Sequence, residues 1–391
     1  MKLKQLSSDF FVEEIPNITL SQEKKAHSIF IMKKTGLDAF NAIRLISEKT
    51  SIPFFEIGYA GLKDKHAVTK QYISIPTHYS VQFHDTDRLK LFFVGYHNKK
   101  IKIGDLKGNK FSIVVRDIKH NEIDCVYEKT KNVSLFGVPN YFDSQRFGSV
   151  FNNKFIGKYL VKKNYEAAVK IFLTCYTKSE NKNVKNEKRN IRMHWSNLEN
   201  VSVRNKVLTR VIKEYLKNRS WLEAYKKIPA NLREMYVNAY QSYLWNECVK
   251  EILRFCVRGK KIYSVEYAVG LLYFYQDLSD EELDKIPSVF PTLSDKVKLS
   301  EFDKKIVSKV LSNENITLED LDIESLTGNF FKTRKRPVII IPDGFSISVP
   351  MDDELNAING KQQHKITLSF SLLKGSYATI VIKRIFNQFD S

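Results

Sequence analysis

One carboxylate lies in a short segment crowded with cations. Asp64 is flanked by Lys63, Lys65 and His66, and Lys70 follows six residues later. Nearby positive charge favours the ionised form of an acid, and an ionised, positioned carboxylate acts as a nucleophile or as a general base. The alternative is a solvated loop whose charges form surface ion pairs. Residue types and spacing by themselves leave both interpretations open.

This carboxylate belongs to a longer pattern, Ala-Gly-Leu-Lys-Asp-Lys-His-Ala-Val-Thr-Lys-Gln at residues 60–71. The pattern resembles the central motif of the TruD family of tRNA pseudouridine synthases, Gly-x-Lys-Asp-x-x-Ala-x-Thr-x-Gln, and matches it at every fixed position. Further stretches match in the family's chain order, so the resemblance reaches both ends of the sequence. These stretches are residues 4–14, 106–109 with Phe111, 140–148 (Asn-Tyr-Phe-Asp-Ser-Gln-Arg-Phe-Gly) and 375–379.

The resemblance implies an isomerase that converts uridine to pseudouridine at position 13 of tRNA. Such an enzyme breaks the bond between N1 of uracil and C1′ of ribose, turns the base and rejoins it through C5. The reaction needs no cofactor, because it involves neither net redox change nor hydrolysis. By resemblance, Asp64 is the catalytic carboxylate, and the sequence leaves open whether it attacks the nucleotide or removes a ribose proton.

Three aromatic residues are candidates for holding the target base. A base within an RNA helix must be flipped out before an enzyme can act on it, and stacking on aromatic rings then retains it. Phe10, Phe142 and Tyr377 lie at matching motif positions. The alternative for each of them is packing in the hydrophobic core.

Polar residues of the matching stretches complete the predicted site. Asn140 can offer a donor and an acceptor to the Watson–Crick edge of uracil, or it can cap a turn after Pro139. Lys4 can pair with Asp64 or contact a phosphate. Asp143 replaces a glycine found in many relatives, which raises the question of a positive φ there. Arg146 is interpreted as a structural ion-pair partner rather than an RNA contact.

The charge balance indicates a polyanionic partner. The 391 residues include 63 Lys plus Arg and 44 Asp plus Glu, a formal net charge of +19. Nucleic acid is the commonest partner of such a surplus, although a compositional bias toward Lys can account for part of it. A membrane partner is disfavoured, because the longest apolar stretch, residues 267–275, is too short to span a bilayer.

The sequence also carries predictions about location, metals and disulfides. The N-terminus lacks the apolar core of a signal peptide, so we expect a cytoplasmic protein. The oligomeric state is open, with a monomer as the default. Four scattered cysteines without a Cys-x-x-Cys pair predict neither a disulfide nor a metal site. They are Cys125, Cys175, Cys248 and Cys256.

Clustered cations near the motifs are candidates for docking the tRNA backbone. The clusters lie in residues 97–110 and 332–336 and beside the acidic residue of the first motif. Lys and Arg in such clusters contact phosphates, although a charged run is also typical of a solvated face or an edge strand. The predicted RNA contacts are Lys63, Lys65, Lys99, Lys100, Lys107, Arg334 and Arg336.

Hydrophobic periodicity predicts a β-rich start, a helical middle and a β-rich end. Strands are expected near residues 10–15, 27–33, 72–75, 111–115, 338–341 and 366–372, and helices near 37–46, 240–255, 278–283 and 377–385. The polar segment 177–190 is expected to be a mobile connection.

This order predicts an α+β fold in which both chain ends form one domain around an insertion. The resemblance implies a catalytic domain with a mixed or antiparallel sheet, interrupted by a TruD-type α/β domain. The predicted boundaries are 1–161 and 342–391 for the catalytic domain and 162–341 for the insertion.

Two other function classes compete with the isomerase. A non-catalytic tRNA-binding or RNA-chaperone protein explains the positive charge equally well, but it has no need of a carboxylate that faces an anionic ligand. An Asp-dependent RNA hydrolase needs a cluster of metal-binding carboxylates, and none lies near the motif.

Overall fold

The computed structural model describes residues 1–177, 180–324, 331–358 and 361–386. The chain divides into two compact units. The first consists of Met1–Gly137 together with Ile340–Ser391, and the second of Val138–Ile339. Both chain ends therefore belong to one unit, and the second unit is inserted between its parts. The compact units divide after residues 137 and 339. The predicted domain boundaries at 162 and 341 stay a prediction.

Strands are numbered along the chain. Those of the first unit are β1 Lys2–Leu3, β2 Phe10–Pro16, β3 His27–Thr35, β4 Gly58–Tyr59, β5 Val68–Pro76, β6 Leu89–His97, β7 Leu106–Ile118, β14 Asp343–Ile347, β15 Met351–Ile358 and β16 Lys361–Leu373. Those of the second unit are β8 Val138–Pro139, β9 Ile262–Tyr267, β10 Gly270–Tyr275, β11 Val289–Pro291 and β12 Lys335–Pro337, with β13 Ile339–Ile340 at the boundary.

Helices are numbered in the same way. The first unit contains α1 Ala39–Thr50, α2 Ile123–Phe136 and α11 Ala378–Phe386. The second contains α3 Ile156–Val161, α4 Tyr165–Thr174, α5 Lys182–Met193, α6 Lys206–Asn218, α7 Trp221–Lys226, α8 Ala230–Cys256, α9 Asp280–Lys285 and α10 Glu301–Glu314.

The first unit is built on one mixed sheet. Its strands run in the order β14-β16-β7-β2-β5-β3-β6, with β1 on β7, β15 on β16 and β4 on β5. β2 and β5 are parallel, with Phe11 opposite Val68, whereas the neighbouring pairs are antiparallel. Because parallel strands start at the same edge, the segments that precede β2 and β5 lie side by side. The predicted α+β class with a mixed sheet is confirmed.

Alternation along the strands and a capped helix build the core of this unit. Ile366, Leu368 and Phe370 are buried on β16, as the period of two predicts. The side chain of Asp38 caps α1 by accepting from the backbone N–H of Phe40 at 2.9 Å. The apolar face of α1 then packs against β3 and β5.

A buried ion network ties the two chain ends together. The Arg116 guanidinium on β7 donates to Asp9 Oδ1 at 2.9 Å and to Asp353 Oδ1 at 2.9 Å, and all three side chains are almost fully buried. Asp353 Oδ2 accepts from the backbone N–H of Asp117 at 2.8 Å. The hydrogen bonds that Arg116 donates to Asp9, and those it donates to Glu354 and Asp353, raise the pKa of Arg116, although burial opposes the shift. Each of these buried charges thus has a partner of opposite sign.

The second unit is mainly helical. The 27-residue helix α8 buries Tyr240, Leu244, Trp245 and Cys248 and packs against α3 and α10. β9 and β10 form a hairpin, and β11 pairs with β12. No helix in the described ranges has the length and apolar character that spanning a bilayer requires.

The helix predictions at 37–46, 240–255 and 278–283 are confirmed by α1, α8 and α9. The closing helix α11 is also confirmed, because burial of Ile380, Ile382 and Ile385 outweighs the low helix propensity of β-branched residues. Strand predictions are likewise confirmed, although the one at 338–341 shrinks to the two residues of β13.

The prediction of a mobile connection at 177–190 is wrong. Residues 178–179 lie outside the described residues, but helix α5 occupies most of the segment. The Asn181 side chain caps it, and the Lys188 ammonium donates to the backbone oxygen of Cys175 at 2.8 Å and to Glu180 at 2.8 Å. Ile191 is fully buried. Two buried anchors are enough to dock a helix that reads as almost entirely polar.

Candidate active site

The Asp64 carboxylate is fixed at both oxygens. It lies in the loop between β4 and β5, beside the segment that precedes β2. The Lys4 ammonium donates to Oδ2, and the backbone N–H of His66 donates to Oδ1 at 3.0 Å. The side chain is 22% exposed, so the group is held in place and still accessible.

The surroundings of Asp64 keep it ionised. Burial acts to raise its pKa, but hydrogen bonds from Lys4 and the backbone of His66, and the positive charge of Lys4, outweigh burial and hold the pKa below its usual value. The carboxylate is therefore ready to act as a nucleophile or base at neutral pH.

Lys34 on β3 supports the same loop from below. Its ammonium donates to the backbone oxygen of Asp64 at 2.6 Å, and its side chain is fully buried. Burial lowers the pKa of Lys34 to about 8, and Lys63 adds to this lowering. The motifs and charge clusters of the sequence do not include this residue. The available signal is that Lys34 continues the buried alternation of Phe30 and Met32 along the strand.

Lys63 was predicted to contact RNA, and the structure gives it a different position. Its ammonium lies 2.6 Å from Glu14 Oε2, and the two side chains are 8% and 1% exposed. Glu14 Oε1 also accepts from the backbone N–H of Tyr72 at 3.2 Å. A buried lysine with a buried carboxylate partner is not presented to a phosphate, so the expectation for Lys63 is corrected to that of a loop anchor.

Further motif residues hold the loop from β5. The Gln71 amide donates to the backbone oxygen of Gly61 at 3.2 Å. Gln71 and Thr69 are both fully buried on the same face of β5. The conformation of the Asp64 loop is thus determined by polar groups inside the sheet, which is why the motif combines polar residues with strand periodicity.

Lys4 and Phe10 lie next to Asp64. Lys4 adopts a left-handed backbone conformation (φ 55°), and its ammonium is 4.3 Å from the centroid of the Phe10 ring. Of the two positions considered for Lys4, the structure shows the pairing with Asp64. Phe10 is 5% exposed and packs edge-on against Phe111, with ring centroids 6.3 Å apart. The structure therefore assigns Phe10 to the core beneath the site, in place of an open stacking ring.

Tyr377 is partly exposed in the same unit. Its backbone oxygen accepts from Ile380 N at 3.1 Å, and the residue immediately precedes helix α11. Gly375, two residues earlier, has φ 84°, a conformation that glycine adopts without strain. A stacking function for the Tyr377 ring stays a prediction.

Asn140 and Phe142 belong to the second unit. The side-chain N–H of Asn140 donates to the backbone oxygen of Pro337 at 3.2 Å, and its backbone N–H donates to Val338 O at 2.8 Å. Asn140 is 3% exposed, and within the described ranges its Oδ1 has no hydrogen-bond donor. A buried acceptor without a donor is costly unless a ligand or water satisfies it.

The Phe142 segment is clamped by α8. Asn246 accepts from the backbone N–H of Phe142 and donates to its backbone oxygen, both at 2.9 Å. The Phe142 ring is 8% exposed. Its centroid lies 5.7 Å from that of Trp245, in an edge-to-face arrangement, and 3.9 Å from the Arg336 guanidinium carbon. The packing alternative therefore describes Phe142 in this structure.

The neighbours of Phe142 clarify three further expectations. Arg336 also donates to the backbone oxygen of Asn140 at 3.1 Å, so this predicted RNA contact is corrected to a packing residue. Arg146 donates to Ser242 at 3.0 Å, in a structural position. Asp143 has φ −94°, so replacing the family's glycine introduces no left-handed strain.

The remaining predicted RNA contacts differ in their freedom. Lys65, Lys99, Lys107 and Arg334 are exposed. Lys100 is partly buried and donates to the backbone oxygen of Phe55. With Lys99 and Lys102, Lys100 lines a surface depression of about 540 Å³. Four of the seven predicted cations are thus available to a ligand.

Metal chemistry has no donor set in the described ranges. No group of three His, Cys, Asp or Glu side chains there is arranged to hold a metal ion. The predicted absence of a metal stays a prediction.

Comparisons with known proteins agree with the sequence motifs. The family model described as tRNA pseudouridine synthase D (TruD) matches residues 1–385. The chain is 40% identical to a probable tRNA pseudouridine synthase D 1 of Methanococcus maripaludis, with 99% of this chain and 100% of the relative covered. It is 32% identical to the tRNA pseudouridine synthase D of Aquifex aeolicus, with 99% and 98% covered.

A solved structure resembles the whole fold. The crystal structure of the putative tRNA pseudouridine synthase D (TruD) from Methanosarcina mazei superposes with a TM-score of 0.73 and 26% sequence identity. The match covers 99% of this chain and 93% of that one.

Proposed function

Because the chain belongs to the TruD family of tRNA pseudouridine synthases, we propose that it converts uridine to pseudouridine in tRNA, at position 13, with Asp64 as the catalytic carboxylate. The observation that carries the proposal is the state of Asp64. Both oxygens are fixed, the pKa is held low, and the group remains accessible.

The reaction is balanced within the substrate. The N1–C1′ bond of the target uridine breaks, a C5–C1′ bond forms, and the hydrogen that leaves C5 is replaced by one gained at N1. Asp64 begins this sequence either by attacking the nucleotide or by removing a ribose proton, and both routes require its ionised form. Lys4 keeps Asp64 ionised and Lys34 fixes the backbone that carries it.

Recognition of the uracil is assigned to Asn140. The N3–H of uracil is a donor, and Asn140 Oδ1 is a buried acceptor that lacks a donor in the described part of the chain. Tyr377 is proposed as a ring on which the flipped base stacks. Lys65, Lys99, Lys107 and Arg334 are proposed as phosphate contacts.

The proposal includes a setting for the reaction. The enzyme works in the cytoplasm on tRNA, without a cofactor. The alternative of a non-catalytic tRNA binder predicts that Asp64 is dispensable, and no observation specifically favours it.

Asp64→Asn tests the proposal directly. The amide keeps the shape of the carboxylate and cannot act as a nucleophile or base, so pseudouridine formation should fall by about 10³-fold or more. Product is measured by mass-spectrometric mapping of an unmodified tRNA transcript incubated with each protein. Mapping also identifies the modified position.

Two controls make the outcome decisive. Asp87→Asn changes an exposed aspartate of the same unit and should leave the rate unchanged. Asp64→Asn should retain a wild-type circular dichroism spectrum and tRNA affinity. An Asp64→Asn protein that still produces pseudouridine at the wild-type rate overturns the assignment of Asp64.

A further inference from the structure

Helix α6 of the second unit carries a row of cations along one face. Lys206, Arg210, Lys213 and Lys217 are spaced by four, three and four residues, which places them on one side of a helix. At 1.5 Å per residue the row extends over about 16 Å. All four side chains are exposed, and they line a surface groove of about 500 Å³ together with Arg204.

The row is not neutralised by neighbouring acids. Within the described ranges, none of the four residues has a carboxylate within salt-bridge distance. Glu214, the one acid of the groove lining, lies 3.3 Å from the Lys227 ammonium and accepts from Asn218 at 2.6 Å. The positive charge of this face is therefore presented to solvent without local compensation.

The helix that carries the row is firmly placed. The Asn205 side chain caps it by accepting from Val207 N at 3.0 Å and Leu208 N at 3.2 Å. Leu208, Val211 and Ile212 are buried on the opposite face. The Tyr215 ring stacks on Trp221 with centroids 3.6 Å apart. The four cations thus project from a rigid support, which lowers the entropic cost of binding.

A general excess of lysine does not explain this arrangement. Several other exposed cations of the same unit have acids beside them, such as Lys304 with Glu301 at 2.6 Å, Lys285 with Glu281 at 2.6 Å and Arg258 with Glu281 at 3.1 Å, whereas all four cations of the α6 row lack one in the described ranges. A bias in composition adds lysine everywhere, but it does not remove the acids from one helix face.

We propose that this α6 face binds the phosphate backbone of the substrate tRNA, as a docking surface separate from the Asp64 loop. The proposal rests on the proposed function for the identity of the RNA. Exposed, uncompensated cations on a rigid helix match a chain of phosphates, which is bound by releasing counterions. A membrane surface fits less well, because an interfacial helix needs exposed apolar residues, whereas Leu208, Val211 and Ile212 of α6 are buried and Val207 and Leu216 are half-buried.

The test removes the row and measures binding without catalysis. K206Q/R210Q/K213Q/K217Q is prepared in the Asp64→Asn background, and its affinity for an unmodified tRNA transcript is followed over a series of KCl concentrations. We expect the Kd for tRNA to rise by about 10-fold or more at moderate salt. The slope of log K against log salt should fall by about 3, since four phosphate contacts are lost.

A matched variant controls for net charge. R258Q/K285Q/K298Q/K304Q removes four exposed cations of the same unit and should leave both affinity and slope near those of the parent. Equal losses in the two quadruple variants would overturn the proposal, because they would reflect total charge. An unchanged salt slope in the α6 variant would also overturn it, as would a loss of binding to phosphatidylglycerol vesicles with tRNA binding intact.

The readout separates this proposal from the catalytic one. Binding is measured in proteins that lack the Asp64 carboxylate, so a failure of Asp64 as the catalyst does not change the outcome. Conversely, in the Asp64-containing protein the α6 variant should raise the KM for tRNA and leave kcat near the parent value at saturating tRNA.

Discussion

The interior of the first unit and the surface of α6 use positive charge in opposite ways. In that interior, Lys63 pairs with Glu14 and Arg116 with Asp9, and all four side chains are buried. On α6 they are exposed and no acid pairs with them in the described ranges. The buried charges fix geometry, whereas exposed charges, which include Lys65 of the first unit as well as the α6 row, are available to a ligand.

The difference shows that the surroundings of a cation decide its function. Lys63 stands next to the candidate catalytic residue, yet it has only 8% exposure. Lys213 lies far along the chain from any matched motif, yet it is free of any salt bridge within the described residues. Changes to the buried, paired cations should therefore affect stability, and changes to the exposed cations of α6 should affect RNA binding.

The largest effect on stability is expected from Arg116→Met. This change leaves Asp9 and Asp353 buried without their partner, so the free energy of unfolding should fall by about 3–5 kcal/mol. Urea titration followed by circular dichroism measures it. Arg44→Met is the matched control, because Arg44 forms an exposed pair with Glu48, and it should cost less than about 1 kcal/mol. Similar costs for the two variants would contradict the claim that buried and exposed cations contribute differently to stability.

A pH-dependent effect is expected at Lys34. The folded-state pKa of about 8 lies below the ordinary 10.5 of lysine, so between these values the unfolded chain binds more protons than the folded one. The free energy of unfolding of wild type minus that of Lys34→Met should therefore rise as pH increases from about 8 to 10.5. Below that window the difference should be constant. Urea unfolding of both proteins at successive pH values measures the difference.

A second substitution separates titration from packing at this position. Lys34→Gln also removes the titrating group, so the comparison of wild type with Lys34→Gln should show the same rise with pH. A difference that stays constant across the window would refute the assignment of a neutralisable lysine beneath Asp64.

The smallest effect on stability is expected on α6. Lys213→Gln removes an exposed charge and keeps a good helix former, so the free energy of unfolding should change by less than about 0.5 kcal/mol. Leu208→Ala on the buried face of the same helix should cost about 2–5 kcal/mol. Urea titration compares them, and a large cost for Lys213→Gln would show that this face packs against protein.

Features that depend on local periodicity could be predicted from the sequence. The alternation of β16 and the capped helix α1 follow from neighbouring residues, and the Asp64 motif is contiguous. The pairing of Lys63 with Glu14 could not be predicted, because it joins residues 49 positions apart. Neither charge nor spacing reveals which acid folds back onto a lysine.

Two misses have different physical causes. The polar sequence of α5 indicates a mobile connection, because the helix depends on buried contacts of Lys188 and Ile191 rather than on a wide apolar face. The α6 row stands in the sequence at intervals of three and four residues, but it does not form a contiguous run of charge. Periodic spacing of cations is therefore the sequence signal for such a face.

The first unit is assembled from both ends of the chain, so its sheet is completed late in biosynthesis. β7 has its partner β16 on the far side of about 200 residues of inserted chain, which a ribosome needs on the order of 10–40 s to make. Throughout that interval the nascent protein already carries the Asp64 motif, but β16, which completes the sheet, has not yet been synthesised. The first unit can therefore fold completely only late in translation, after the entire insertion has emerged.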